Sequence, residues 1–177
     1  MMLQHVRLLA NYNARFNNQV FDAAAKLDLN EFQADRGAFF KSVCGTLNHI
    51  LVGDILWFTR FYKSFKPYLT LAPVLDLPVP QSLDHIPYPE LPALHEARQI
   101  MDGMISRWAH EELTEQDLEQ DLTYANTKGV VSTRNFGETL MHVFNHHTHH
   151  RGQASTLLFQ LGHDVGVTDF LVDVPVS

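Results

Sequence analysis

Five histidines lie within nine consecutive positions of the chain, from His142 to His150, in the segment HVFNHHTHHRGQ. Neutral imidazole is a common ligand of divalent metal ions, and side chains three or four residues apart lie on one face of a helix. His146 and His150 are four residues apart, and His147 and His150 are three apart. Either pair could bind one ion, and helical spacing does not decide between them. We interpret the cluster as part of a metal site, because several buried imidazoles without partners would be costly.

A further ligand is needed, and His49 in the segment TLNHILVGD is the best candidate. Its apolar stretch also contains the small residues Ser42, Gly45, Thr46 and Gly53. Glycine in a helix costs about 1 kcal/mol relative to alanine, so these glycines need a reason. They could leave space beside His49 for an ion and its ligand, or they could allow close helix packing. The remaining histidines are isolated, and we interpret them as ordinary surface or core residues: His5, His85, His95, His110 and His163.

Polar side chains near these histidines have more than one interpretation. Asp54 falls on the apolar face of its predicted helix, where it could orient a ligand histidine. It could equally be a buried partner of Arg60, Arg151 or a backbone group. Arg151 could form a structural ion pair or contact a substrate. We expect Gln153 and Asn145 to contribute supporting hydrogen bonds at most.

Apolar residues at helical spacing predict four long helices that would position these side chains, over residues 3–26, 30–65, 92–112 and 135–161. Seven of the eight prolines fall between Pro67 and Pro92, which predicts an extended connection there. This connection could cover the mouth of a pocket or act as a passive linker. Two β-prone runs around residues 126–129 predict a hairpin before the last long helix, and VTDFLVDV predicts a short final turn. Four long helices and a long crossover indicate an all-α bundle.

Composition excludes several classes of function. The 177 residues are most simply a single domain, over residues 1–177, and are enough to bury a core. The net charge is -7 and no Lys/Arg run is present, which argues against nucleic acid as a partner. The single cysteine, Cys44, rules out an intrachain disulfide and is consistent with a reducing cytoplasm. The N-terminal sequence becomes polar too early for a signal peptide, and no stretch is apolar enough for a membrane span. We therefore expect a cytoplasmic location and no membrane contact.

Two long motifs, SVCGTLNHILVGDILWFTRF and HVFNHHTHHRGQ, resemble the DinB/YfiT-like family of metal-dependent proteins. The resemblance extends over nearly the whole chain. It includes a YN pair at Tyr12-Asn13, a DL pair at Asp117-Leu118 before the predicted hairpin, and a DF pair near the end. The first motif departs slightly, because Arg15-Phe16 stands where many relatives have Trp and a hydrophobic residue.

The resemblance implies an up-down-down-up four-helix bundle, often dimeric. It also implies a metal site with one histidine on the second helix and two on the fourth, which correspond to His49, His146 and His150. The resemblance thus favours His146 over His147, for which it leaves packing or an interface. His142 and His149 would lie beside the ligands or on the cavity wall.

Three imidazoles would leave a divalent ion with open coordination positions, and the ion could be zinc, nickel or iron. Relatives include thiol-dependent transferases and isomerases, so the resemblance implies an enzyme that brings a low-molecular-weight thiol to a small electrophile. A second hypothesis is a damage- or stress-induced metal-binding protein without turnover. A third is a purely structural centre joining the second and fourth helices, with His142 or His149 as a fourth ligand.

Overall fold

The computed structural model describes residues 2–176, and this part of the chain is mostly helical, as predicted. Three predicted helices are observed within two residues of their expected bounds, whereas the second is divided. The α-helices are α1 (Leu3–Ala24), α2 (Leu29–Gln33), α3 (Val43–Tyr62), α4 (Leu91–Glu111), α5 (Glu115–Leu118) and α6 (Phe136–Gln160). The strands are β1 (Asp121–Ala125) and β2 (Val131–Asn135), and 3-10 turns span Leu69–Asp76 and Phe170–Asp173.

The four long helices share one apolar core. Helix α1 packs against α4 and α6, and α3 packs against α6 and α4. At one end of the core, the rings of Phe58 and Phe61 contact the fully buried Trp108, and Phe61 also contacts Phe136. Burying one such side chain stabilises the fold by about 1.5–3 kcal/mol. This packing holds α3 and α6, which carry the candidate ligands, against each other.

The predicted helix over residues 30–65 is wrong, because α2 ends at Gln33 and α3 begins at Val43. The intervening loop contains two residues with positive φ, Gly37 (73°) and Lys41 (67°). Ser42 then caps α3, and its side-chain oxygen accepts a hydrogen bond of 2.9 Å from the backbone N–H of Gly45. A Cβ on Gly45 would overlap the backbone oxygen of Phe40. Close packing therefore explains this glycine, and the loop brings Phe40 to the candidate site.

The proline-rich connection is partly helical and is anchored to α3. Its 3-10 turn at Leu69–Asp76 buries Leu71 and Val74. The Asn48 side chain donates to the backbone oxygen of Tyr88 (2.9 Å) and accepts from its N–H (3.1 Å). These bonds fix the later part of the connection beside the helix that carries His49.

The predicted hairpin is confirmed as a two-stranded antiparallel sheet that leads directly into α6. Its register runs from Asp121 paired with Asn135 to Ala125 paired with Val131. The Asn135 side chain caps α6 by accepting a 2.9 Å hydrogen bond from the Glu138 N–H. Within residues 2–176, none of the helices combines the length and apolar content that crossing a bilayer requires.

Candidate metal centre

Three histidines converge between α3 and α6. One ring nitrogen from each of His49, His146 and His150 lies within 4.8 Å of the others, a group that could hold a metal ion. The Nε2 atoms of His49 and His146 are 2.9 Å apart. The ring of His150 lies 4.4 Å from each of the other two ring centroids. Helical spacing had left His146 and His147 as alternatives, and only His146 belongs to this group.

Hydrogen bonds orient two of these rings. His49 Nδ1 donates to the backbone oxygen of Leu83 in the proline-rich connection (2.8 Å), and His150 Nδ1 donates to Gln153 Oε1 (2.8 Å). A proton on Nδ1 leaves the lone pair of Nε2 available as a ligand. The supporting hydrogen bond predicted for Gln153 is observed, whereas no pattern in the sequence indicates that the backbone of Leu83 takes part.

The site opens into a cavity of about 490 Å³, which we call the histidine cavity. Phe40 stacks on His49, with ring centroids 3.7 Å apart and an angle of 16° between the planes. Other apolar walls come from Phe39, Leu56, Trp57 and Leu83. His142 and His149 also lie on the wall, outside the group of three. Among residues 2–176, no further His, Cys, Asp or Glu side chain joins the three histidines.

Burial keeps the three imidazoles in their neutral form. Desolvation lowers the pKa of His146 to about 3, and the neighbouring His147, His150 and His49 lower it further in the same direction. Desolvation also lowers the pKa of His49 and of His150, against the opposing effect of their hydrogen bonds to Leu83 and Gln153. At neutral pH these rings therefore offer lone pairs, and metal binding need not displace protons from them.

Gly53 makes room for one of these rings. A Cβ at this position would lie 2.8 Å from His146 Cε1 and 3.4 Å from its Nδ1. Any larger residue would therefore displace the His146 imidazole from its position in the group of three histidines. The two roles suggested for this glycine were to leave space for an ion beside His49 or to allow close helix packing. In the structure, the space beside Gly53 is occupied by the ring of His146.

Asp54 pairs with Arg98 on α4 and His147 on α6, so its predicted partners Arg60 and Arg151 are wrong. All three side chains are almost completely buried, and Arg98 also lies 2.9 Å from Asp102. Burial alone would raise the pKa of Asp54, but His147 and Arg98 outweigh it and hold the pKa below its usual range. Asp54 does orient a histidine, but that histidine lies outside the group of three.

The Tyr12-Asn13 pair connects this buried network to α1. The Asn13 side chain donates to His147 Nδ1 and accepts from Arg151 Nη1. The Arg151 guanidinium lies over the rings of Tyr12 (5.2 Å) and Phe16 (5.0 Å) and has no carboxylate partner among residues 2–176. It is fully buried away from the cavities, so neither the predicted ion pair nor the substrate contact is observed.

The fold and this site define a helical protein with a three-histidine centre that could hold a metal ion. Residues 2–175 match the DinB family, and the chain belongs to that family, as the sequence motifs predicted. The chain is similar to "Protein DinB" of Bacillus subtilis (strain 168), with 24% identity over 163 residues that cover 92% of this chain and 89% of the relative. No solved structure matches the chain.

Proposed function

We propose that this protein binds one divalent metal ion through His49, His146 and His150, within an up-down-down-up bundle of the four long helices. The observation that carries the proposal is the convergence of three ring nitrogens within 4.8 Å. Their lowered pKa values and the hydrogen bonds at Nδ1 of His49 and His150 provide the donor chemistry that zinc, nickel or iron accepts.

We propose further that the centre is catalytic. Catalytic metal sites keep an open coordination position, whereas structural sites close it with a fourth protein ligand. The three histidines here are accompanied by a cavity of about 490 Å³ and by no fourth donor among the described residues. These features favour an open site over a structural one that only joins α3 to α6.

The reaction that we propose is S-transfer from a low-molecular-weight thiol to a small electrophile: the thiol proton goes to solvent, the sulfur forms a bond to the electrophilic carbon, and the leaving group departs from that carbon with its electron pair. When bound, a divalent ion would lower the pKa of a thiol and so raise the thiolate population at neutral pH. The chain's own contribution is to hold three neutral imidazoles in place and to line the cavity beside the thiol with the apolar side chains of Phe39, Phe40 and Trp57. The homodimer implied by the family resemblance stays a prediction.

Metal analysis of the purified protein is expected to find about one divalent ion per chain. Adding zinc or nickel to the chelated protein should raise its stability by about 2.7 kcal/mol at a free-metal concentration 100 times the Kd, because only the folded state assembles the site. Elemental analysis and thermal unfolding measure these effects. An ion content near zero, together with unchanged unfolding after metal addition, would remove the basis of the proposal.

Thiol consumption by small electrophiles is expected to depend on the bound metal. Across a panel of thiols and electrophiles, chelation and the His49→Ala substitution should each reduce the rate at least about tenfold, because loss of even a group that only orients a metal ligand costs about 10- to 100-fold. The His110→Ala variant, altered on an exposed part of α4, should keep the wild-type rate. A metal-loaded protein that is inactive across the panel would favour the alternative function, a stress- or damage-inducible metal-binding protein without turnover.

A further inference from the structure

A second cavity of about 550 Å³ adjoins the histidine cavity. We call it the hairpin cavity, because its walls include Tyr124 and Arg134 of the hairpin and Glu138 at the start of α6. Trp57 and His142 line both cavities. Their rings are 5.7 Å apart in an edge-to-face contact. A single small molecule that passes these two rings would therefore reach both cavities.

The hairpin cavity carries one positive and one negative side chain that lack protein partners. Within residues 2–176, neither Arg134 nor Glu138 forms an ion pair or a side-chain hydrogen bond, although both line this cavity. Both side chains are exposed to solvent, so a ligand that enters the cavity can reach them. A guanidinium binds a carboxylate through paired N–H donors, and a carboxylate binds an ammonium group. The cavity thus presents complementary groups to a ligand that carries both charges.

The spacing along α6 indicates how far apart the two ends of such a ligand must be. Glu138 precedes His146 by eight residues, which is about 12 Å along the helix axis. The side chains and the metal–ligand bonds cover part of this distance. The ligand must therefore separate its charged end from its reactive end by a chain of several bonds.

We propose that the hairpin cavity binds the amphoteric end of the thiol substrate, with its carboxylate on Arg134, its ammonium group on Glu138 and its carbon chain against Trp57. This inference rests on the proposed function, which places the thiol of the substrate at the three histidines. It adds the substrate class: an amphoteric thiol with an extended spacer.

Three amides of cysteamine test this assignment, because they share the thiol and the spacer. N-(γ-glutamyl)cysteamine carries both charges and reaches about 9 Å when extended. N-(4-aminobutyryl)cysteamine carries only the ammonium group, and N-glutarylcysteamine carries only the carboxylate. Binding to the cobalt-substituted protein is measured by thiolate-to-cobalt charge-transfer absorption. The γ-glutamyl amide should bind about fivefold more tightly than either of the others, as expected for one partly exposed ion pair.

Single substitutions separate the two contacts. Arg134→Gln should weaken the γ-glutamyl and glutaryl amides about fivefold and leave the aminobutyryl amide unchanged. Glu138→Gln should weaken the γ-glutamyl and aminobutyryl amides to the same extent and leave the glutaryl amide unchanged. Lys128→Gln removes a charge from the exposed hairpin turn outside the cavity and should change none of the three affinities. The proposal would be overturned if Arg134→Gln or Glu138→Gln changed the affinity of all three amides equally. It would also be overturned if either substitution changed none of the three affinities.

A metal-free measurement distinguishes this inference from the proposed function. The S-methyl form of the γ-glutamyl amide has no thiol, and its binding is measured by quenching of tryptophan fluorescence in the metal-free protein. Trp57 lines the cavity, whereas Trp108 is fully buried and does not. Arg134→Gln and Glu138→Gln should each weaken this binding about fivefold. If no amide gives a charge-transfer band but both substitutions weaken binding of the S-methyl probe, thiol binding at the metal is contradicted and the proposed amphoteric site is supported. If the charge-transfer band appears but neither substitution weakens binding of the S-methyl probe, the amphoteric site is contradicted and the proposed function is not.

Discussion

Replacing Gly53 with alanine is expected to weaken metal binding by about 10- to 100-fold, the range for losing a group that holds a metal ligand in position. The new methyl group would lie 2.8 Å from His146 Cε1, a distance that such contacts do not tolerate. The backbone of α3 is fixed by packing, so the His146 imidazole must move from the position in which it meets His49 and His150. The ring of His146 is at the end of a side chain and can move at little cost, and alanine stabilises a helix by about 1 kcal/mol relative to glycine. The free energy of unfolding should therefore change little.

Gly103→Ala on α4 is the matched control, because a Cβ at that helical position meets nothing within 4 Å. It should leave the metal Kd unchanged and raise the free energy of unfolding by up to about 1 kcal/mol. Competition titration against a chromogenic chelator gives the Kd, and denaturant unfolding of the metal-free proteins gives the stability. Wild-type metal affinity in Gly53→Ala would show that the position of His146 against Gly53 is irrelevant to the site.

The parts of the fold that follow local patterns could be predicted from the sequence. Apolar periodicity is a property of one segment, so it located α1, α4 and α6 and the hairpin. The division of the second helix does not follow apolar spacing, because it lies where Gly37 and Lys41 adopt positive φ, and a lysine does not signal that conformation in a sequence. No proline marks that loop, and its signals were limited to Gly37 and the capping residue Ser42.

In the candidate site, helical spacing predicts which face each histidine occupies, but it does not predict the contacts that each ring makes with other helices. A helical wheel places His146, His147 and His150 on one broad face but does not say which partners each ring meets. The neighbours decide: Gly53 leaves space for His146, whereas Asn13 and Asp54 from two other helices bind His147. Arg98 could not be assigned to Asp54 from sequence, because no spacing rule relates residues 44 positions apart on different helices. The family motifs supplied the choice of His146 that spacing left open.

Replacing Arg98 with methionine is expected to lower the free energy of unfolding by about 3–5 kcal/mol, because it breaks a buried ion pair on one side only. Arg98 is the guanidinium between two buried carboxylates, Asp54 on α3 and Asp102 on α4. Without it, two like charges face each other with only His147 and Asn17 as hydrogen-bonding partners. Denaturant unfolding measures the loss, and Arg107→Met, on the exposed side of the same helix, should change stability by less than about 0.5 kcal/mol.

The cause of this loss can be tested by removing one of the two carboxylates. Asp102→Asn added to Arg98→Met should restore about 1–2 kcal/mol, because it relieves the like-charge repulsion and leaves Asp54 with His147. In Arg98→Met alone, repulsion raises the carboxylate pKa values in the folded state above their unfolded values. Proton uptake then favours the folded state, so the deficit relative to wild type should narrow as the pH falls from about 7 to about 5. A deficit independent of pH, with no rescue by Asp102→Asn, would assign the loss to packing of the arginine stem.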